Sequence, residues 1–267
     1  MPELAAAASN AEAGKEPMAT MGFLDHLEEL RKRIVYSFVA IAAGAAVCWG
    51  YHERIYGVMQ RPIMDALKAN GLSEKLVYLN PTEPFNLYLK IAALAGLFLT
   101  SPIVLYQVWM FISPGLYRNE KRYVLPFMFS TIALFTCGGY FGYKVAYPRA
   151  LDFLIGFGKQ FQPMITIGEY THLFLSIVLG MGLIFEMPVI VFFLAFMGIL
   201  SPGFMWKHLR YAVLVIFVIA AIVTPTPDIF NMCIFASPML ALYALSIGVA
   251  WLVHPKQREA RKEKQAQ

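Results

Sequence analysis

Charged residues are scarce in this chain of 267 residues. Only 15% of the residues are Asp, Glu, Lys or Arg and 58% are hydrophobic, whereas soluble domains have about 25% and about 45 to 50%. A soluble core cannot hide that much apolar surface. The composition therefore excludes an ordinary soluble domain and favours an integral membrane protein.

Motifs for catalysis and metal binding are also missing. The sequence has no phosphate-binding glycine loop, no HExxH, no GxSxG and no cluster of metal ligands. Cys48, Cys137 and Cys233 lack CxxC or Cys/His spacing, and we expect them to be small buried hydrophobic residues. His172 stands alone at a span entrance and is expected to be interfacial. The sequence thus predicts no enzyme and no cofactor.

Long apolar runs take the place of such motifs. A window of about 19 residues predicts an all-α membrane protein with spans at about 34–51, 85–112, 123–146, 171–197, 210–224 and 229–253. None of these runs has the features of a signal peptide. Three regions follow, namely a disordered extension over 1–21, the six-span membrane domain over 22–253 and a basic tail over 254–267.

The last two spans are interpreted as short. The fifth offers only about 15 residues, or about 22 Å, against a hydrocarbon core near 30 Å. Short fifth and sixth spans would suit a locally thinned bilayer. A kink in the sixth is expected at Ser237 and Pro238.

Lysine and arginine are distributed unequally along the chain. If the N-terminus is cytoplasmic, fourteen of the 22 lie on the cytoplasmic side, concentrated in RKR, EKR and HPKQREARKEK near the span ends. The positive-inside rule therefore predicts cytoplasmic N- and C-termini. Topology accounts for the net charge of +5, so no nucleic-acid partner is needed.

Acidic residues lie in unexpected places beside these spans. The segment HLEELRKR over 26–33 is predicted to be part of a short interfacial helix over 22–33, with Phe23, Leu27, Leu30 and Ile34 on one face and Glu29 pointing away. Glu28–Lys32 and Glu29–Arg33 are expected i,i+4 ion pairs. Taken alone, this segment would be a solvated charged helix.

A second acidic residue, Glu120, lies near the end of the segment SPIVLYQVWMFISPGLYRNEKRY over 101–123. Trp109 and Phe111 suit a membrane interface, and the Ser-Pro-Gly run over 113–115 is expected to break the helix. Taken alone, Glu120 would be interpreted as a solvated charge that Lys121 and Arg122 balance.

A third acidic residue, Glu186, is expected near the middle of the fourth span, beside Pro188. A carboxylate there costs several kcal/mol unless it is neutral, paired or facing water. Glu186 is either a functional residue or one that makes a structural hydrogen bond between helices.

A fourth polar segment, TPTPDIF over 224–230, joins the last two spans with almost no loop.

Five segments, in order over roughly 22–253, resemble the signature blocks of the TatC family. This family is the signal-peptide receptor subunit of the twin-arginine protein translocase. The five segments are HLEELRKR, PTEPF, SPIVLYQVWMFISPGLYRNEKR, FEMPV and TPTPDIF. The resemblance implies a curved, cup-like bundle of six helices in a prokaryotic cytoplasmic membrane, moving folded proteins with energy from the proton gradient.

The resemblance also implies a role for the acidic residues. Glu29 and Glu120 would bind the two arginines of a signal peptide, since a carboxylate accepts two N–H bonds from a guanidinium but not from an ammonium. Arg31, Trp109, Phe111 and Tyr117 would support that site, with the apolar part of the peptide along the aromatic rings. Glu186, Asp228 and Thr224 would be intramembrane polar contacts for the single-span partners TatA and TatB, and the receptor would self-associate.

Two other classes of function stay open from the residues alone. A small proton-coupled transporter would use Glu186 as a proton relay and would make Glu29 and Glu120 dispensable. A structural scaffold for other membrane proteins would tolerate replacement of both cytoplasmic glutamates. No convincing inverted repeat relates 34–146 to 171–253, as many transporters would require.

Overall fold

Helices make up nearly all of the described part of the chain. The computed structural model describes residues 23–73, 75–112, 124–158, 160–161, 163–196, 198–224 and 228–253. The helices there, numbered in chain order, are α1 (Phe23–Trp49), α2 (His52–Met59), α3 (Arg61–Ala69), α4 (Glu83–Ile112), α5 (Val124–Phe141), α6 (Tyr147–Phe157), α7 (Ile167–Ile184), α8 (Met187–Phe196), α9 (Pro202–Lys207), α10 (Leu209–Val223) and α11 (Ile229–Val253). A π-helical turn, Gly142–Ala146, joins α5 to α6.

Membrane-spanning character is concentrated in the longest helices. Four described stretches are long and apolar enough to cross a bilayer, and α10 is a shorter apolar helix; the four are Asp25–Trp49, Glu83–Phe111, Ile167–Ala195 and Asn231–Leu252. They coincide with the predicted first, second, fourth and sixth spans, and the third coincides with α5 and the π-helical turn. The all-α class is confirmed, while the count of six spans stays a prediction.

The charged segment before the first span is helical, as predicted. Helix α1 runs without interruption from Phe23 to Trp49, so this segment and the first span form one helix, and its interfacial position stays a prediction. No glycine or proline lies between 23 and 43, and nothing else in the sequence ends the helix before the span. The charged segment is therefore rigidly continuous with the first span.

The face of α1 that packs against α4 carries polar side chains. Leu27 and Ile34 are 44% and 46% exposed, whereas the side chains of Glu29 and Arg33 are each 21% exposed. Arg33 contacts Gln107 of α4. Apolar side chains are stable facing lipid and charged ones are not, so the polar face turns toward α4.

Two glycines allow α1 and α4 to pack closely. A Cβ added to Gly96 would lie 2.4 Å from the backbone nitrogen of Ala45, and one added to Gly44 would lie 2.8 Å from the carbonyl oxygen of Gly96. Small residues of this kind let two membrane helices approach until their backbones touch. Thr100 packs beside them, and its hydroxyl donates to the Gly96 carbonyl at 2.8 Å.

A proline inside α4 is accommodated by the residue before it. Pro102 has no amide hydrogen and leaves the carbonyl of Phe98 without its helical donor. The hydroxyl of Ser101 donates to that carbonyl at 2.8 Å. Helix α4 therefore continues through Pro102 to Ile112, with this backbone acceptor satisfied, as an apolar environment requires.

The last two long helices differ in length. Helix α10 has 15 residues and α11 has 25, or about 22 Å and about 37 Å. The fifth span is short as predicted. The prediction of a short sixth span is wrong, because α11 is long enough to cross the hydrocarbon core. Only the length of α10 therefore suits a thinned bilayer. Helix α11 continues through Pro238, and the hydroxyl of Ser237 donates to the carbonyl of Ile234, which that proline leaves unpaired, at 3.1 Å.

The main hydrophobic core forms where α6 and α7 meet α3, α4, α10 and α11. The hydroxyl of Tyr170 in α7 donates to the carbonyl of Met59 at 2.5 Å, and that of Tyr143 donates to the carbonyl of Val58 at 2.8 Å. These two bonds fix the end of α2 against the bundle. Helices α2, α3 and α6 were not predicted, because their mixed polarity escapes a search for long apolar runs.

The three cysteines do not share one environment. Cys48 is buried as predicted, but Cys137 and Cys233 are exposed, so the prediction of burial is wrong for these two. Both lie in the apolar helices α5 and α11. A thiol is apolar enough to be stable at a lipid-facing surface as well as in a core.

We predict that Gly96→Ala weakens the packing of α1 on α4. The new methyl group would meet the backbone of Ala45, and overpacking of this kind costs about 1 to 3 kcal/mol. Thermal unfolding of the purified protein in detergent should show a lowered midpoint. Gly248→Ala is the matched control, because its Cβ would meet nothing within 4 Å; equal midpoints for the two variants would contradict the close approach.

Candidate functional site

A carboxylate and a guanidinium lie together near the start of α1. The Nε of Arg33 donates to Oε1 of Glu29 at 2.7 Å, and its Nη2 also contacts that oxygen. The Nη1 of Arg33 donates to Oε1 of Gln107 in α4 at 3.0 Å. The predicted Glu29–Arg33 pair is confirmed, and Gln107 joins it to a second helix.

The neighbouring pair is far more open to solvent. Lys32 and Glu28 are 2.9 Å apart, with side chains 56% and 64% exposed, compared with 21% for both members of the Glu29–Arg33 pair. Exposed pairs contribute about 0 to 1 kcal/mol, and partial burial strengthens the electrostatic attraction between charged groups. Glu29 is thus the better placed of the two glutamates for binding a guanidinium.

Aromatic residues flank this site on α4. The ring of Phe111 is half-buried and stacks on that of His26 with centroids 4.4 Å apart. Trp109 is only 3% exposed and packs edge-on against Phe193 of α8, also at 4.4 Å. Phe111 is therefore partly open to a peptide, whereas Trp109 is enclosed in the core beside α8, and the supporting roles of both stay predictions.

Several of the predicted site residues do not lie in this cluster. Arg31 is exposed and lines a small surface cavity with Glu28 and Lys32. Glu120 and Tyr117 lie outside the described residues. The structure thus brings together Glu29, Arg33 and Gln107, and the expectation of a second glutamate beside Glu29 stays a prediction.

The fourth span is interrupted at Glu186. Helix α7 ends at Ile184 and α8 begins at Met187. Pro188 follows closely and has no backbone N–H to donate to the preceding turn. Met187 before it has no hydroxyl that could donate in its place. The Glu186 side chain is 9% exposed, and its Oε1 is buried without a hydrogen-bond partner among the described residues. This carboxyl group lies in the protein interior and not on an open surface.

The residues before and at the start of α11 have a structural explanation of their own. Asp228 accepts hydrogen bonds from the backbone N–H of Asn231 at 2.7 Å and from its side-chain amide at 3.2 Å. This is the geometry of a helix N-cap. Thr224 is buried and its hydroxyl donates to the carbonyl of Ala220 at 2.6 Å, and it also lines a cavity of about 460 Å³ between α6, α7 and α10.

Sequence reasoning missed two polar residues in this arrangement. Gln107 was read as part of an apolar interfacial run, although a lone amide within SPIVLYQVWMF is a signal for a polar contact between helices. Asn231 is 1% exposed and pairs with Asp228. Its position three residues after an aspartate at a helix start could have indicated that pairing.

The arrangement is suited to recognition of a cation. A half-buried carboxylate already holds a guanidinium fork, and an aromatic ring lies one helical turn from the Gln107 end of the cluster. The groups that would activate a nucleophile or hold a reacting atom are not seen in this cluster of described residues.

Comparison with known proteins agrees with this geometry. The family model described as Sec-independent protein translocase protein (TatC) matches residues 25–238. The chain is 67% identical to the Sec-independent protein translocase protein TatC of Koribacter versatilis, over 97% of this chain and 95% of the relative. It is 39% identical to the protein of that name from Carboxydothermus hydrogenoformans, over 89% and 96%.

A solved structure has the same fold. The crystal structure of a twin-arginine translocase receptor, TatC, superimposes with a TM-score of 0.73 at 33% identity, covering 85% of this chain and 99% of that one. A second crystal structure of such a receptor, in the detergent DDM, gives a TM-score of 0.74 at 34% identity. The chain therefore belongs to the TatC family of Sec-independent protein translocase proteins, which is not an enzyme family.

Proposed function

We propose that the protein is the receptor subunit of a twin-arginine translocase in a prokaryotic cytoplasmic membrane. It binds the Arg-Arg motif of signal peptides and, with TatA- and TatB-type partners, moves folded proteins across the membrane at the expense of the proton gradient. Six spans in a curved bundle and cytoplasmic termini belong to the same proposal. The apolar helices and the family relationship support it.

The observation that carries the proposal is the guanidinium bound at Glu29. Arg33 occupies that carboxylate through Nε and Nη2, so the site has the size and charge that an arginine side chain requires. A lysine ammonium cannot offer the same planar fork. Glu120 is proposed as the second carboxylate on the basis of family resemblance.

We predict that Glu29→Gln weakens binding of an Arg-Arg signal peptide by about tenfold. The neutral amide loses the charge-assisted bonds, which contribute about 1.5 to 3 kcal/mol. A fluorescent synthetic peptide titrated onto the protein in lipid nanodiscs measures the change.

Glu28→Gln is the matched control, since Glu28 lies one residue away but is 64% exposed. It should change the affinity by less than about twofold. Equal affinities for the wild-type protein and Glu29→Gln would refute a receptor site at Glu29, and would favour either the transporter or the scaffold reading.

A second prediction concerns the buried carboxyl group of Glu186. We expect Glu186→Ala to reduce association with TatA- and TatB-type partners and transport of a folded cargo, while peptide binding is retained. The reason is that a buried group without a partner among the described residues can gain a hydrogen bond when another helix docks. Co-purification and vesicle transport assays measure these effects.

Glu169→Gln is the control for Glu186, because Glu169 is an exposed glutamate at the start of α7. Proton-dependent uptake of a small solute that is lost in Glu186→Ala, with folded-cargo transport intact, would support the transporter reading instead. Loss of neither activity would leave Glu186 as a structural residue only.

A third prediction separates the capping of α11 by Asp228 from a partner contact. Asp228→Ala should lower stability by about 1 kcal/mol, because the N-cap is lost, whereas Asp228→Asn keeps a good cap. If the charge also contacts a partner, Asp228→Asn should lose co-purification with TatA- and TatB-type subunits at wild-type stability. Wild-type co-purification by Asp228→Asn would limit Asp228 to capping.

A further inference from the structure

The proposed receptor carboxylate is not vacant in this structure. Arg33 donates its Nε to Oε1 of Glu29 at 2.7 Å, and its Nη2 contacts the same oxygen. Both side chains are 21% exposed. An arginine of this chain therefore occupies the position that the proposed function gives to an arginine of the signal peptide.

This occupancy has an electrostatic consequence for an incoming peptide. A second guanidinium approaching Glu29 meets a carboxylate whose charge is already balanced, and it meets the positive charge of Arg33 at contact distance. Like charges repel strongly where they are partly shielded from water. A peptide arginine that binds Oε1 of Glu29 therefore competes with Arg33 for that oxygen.

Gln107 provides a place for Arg33 to remain. Its Oε1 accepts from Nη1 of Arg33 at 3.0 Å, whereas Glu29 is bound by the other two guanidinium nitrogens, Nε and Nη2. Arg33 can therefore release Nε and Nη2 without losing its contact with α4. The close packing of Gly44 against Gly96 keeps α4 in place beside α1.

We propose that Arg33 is an internal competitor that a signal-peptide arginine must displace from Glu29, and that Gln107 holds Arg33 once it is displaced. This inference rests on the proposed receptor function. Displacing Arg33 costs the same free energy for either peptide, so Arg33 raises the affinity that a peptide must have for Glu29; a guanidinium, with its planar set of donors, meets that requirement better than an ammonium.

The first test removes the competitor. Binding of two synthetic signal peptides, one with Arg-Arg and one with Lys-Lys, is measured in nanodiscs for the wild-type protein and Arg33→Gln. We expect Arg33→Gln to bind the Arg-Arg peptide about fivefold more tightly, in line with the strength of a partly exposed ion pair. The Lys-Lys peptide, which must displace the same arginine, should gain by a similar factor.

Lys32→Gln is the matched control for Arg33→Gln. It removes the same charge one residue away, from the pair with Glu28, and should change binding of both peptides by the same small factor. Weaker or unchanged binding of the Arg-Arg peptide to Arg33→Gln would overturn the competitor role, because an arginine that merely positions Glu29 gives one of those results.

The second test acts on Arg33 from α4 and does not remove it. Gln107→Glu should attract Arg33 away from Glu29 and strengthen binding of the Arg-Arg peptide, whereas Gln107→Leu should leave Arg33 on Glu29 and weaken it. Changes in these opposite directions support displacement. The same direction for both variants, or no change in either, contradicts it even if Arg33→Gln fails to fold.

Failure of this inference is distinguishable from failure of the receptor proposal. If Glu29→Gln binds the Arg-Arg peptide as well as the wild-type protein does, the receptor site itself is refuted and the competitor role with it. If Glu29→Gln binds weakly and Arg33→Gln also binds weakly, only the competitor role is overturned. In the Glu29→Gln background, Arg33→Gln should have no further effect, since the two residues then act as one unit.

Discussion

The contact of α1 with α4 at Gly44 and Gly96 is the constraint on which the site depends. Without a Cβ on either residue the two backbones meet directly, and the helices are held in one register along their length. That register brings Arg33 of α1 within hydrogen-bond distance of Gln107 of α4. In lipid, where no hydrophobic effect drives helices together, close backbone packing of this kind is a main source of association.

Hydroxyl groups of serine and threonine in the described apolar helices commonly satisfy the backbone of their own helix. Hydroxyl groups bond to carbonyls of the preceding turn, as those of Thr100 and Thr224 do, and serines repair the backbone before Pro102 and Pro238. These bonds make the helices self-sufficient in a medium without water. The Glu186 side chain differs, since its Oε1 is buried and unpaired among the described residues. It lies where the fourth span is broken.

The two acidic sites therefore differ in kind. Glu29 is partly exposed, paired with Arg33 and connected to a second helix, which suits exchange of one arginine for another. Glu186 is largely buried and its Oε1 lacks a hydrogen-bond partner among the described residues, which leaves an acceptor for a contact made when another helix arrives. Asp228 belongs to neither class, because both of its oxygens accept hydrogen bonds from Asn231 at the start of α11.

Composition and local pattern were enough for much of this description. The 58% hydrophobic content and the long apolar runs determine an all-α membrane protein, and the i,i+4 spacing of Glu29 and Arg33 determines their pairing. These features depend only on neighbours in the chain. The tertiary structure decided which face of α1 packs, because helical periodicity separates a polar face from an apolar one but cannot tell which of them meets lipid and which meets protein.

Contacts between distant residues also required the tertiary structure. Arg33 and Gln107 are 74 residues apart in the chain, and Trp109 is buried because α8 places Phe193 against it. The polarity and aromatic character of these residues predicted an interface, but their partners depend on how the helices are arranged. The sequence by itself thus determined the helices and the local ion pair, and only the packing of α1 against α4 turned that pair into a site joining two helices.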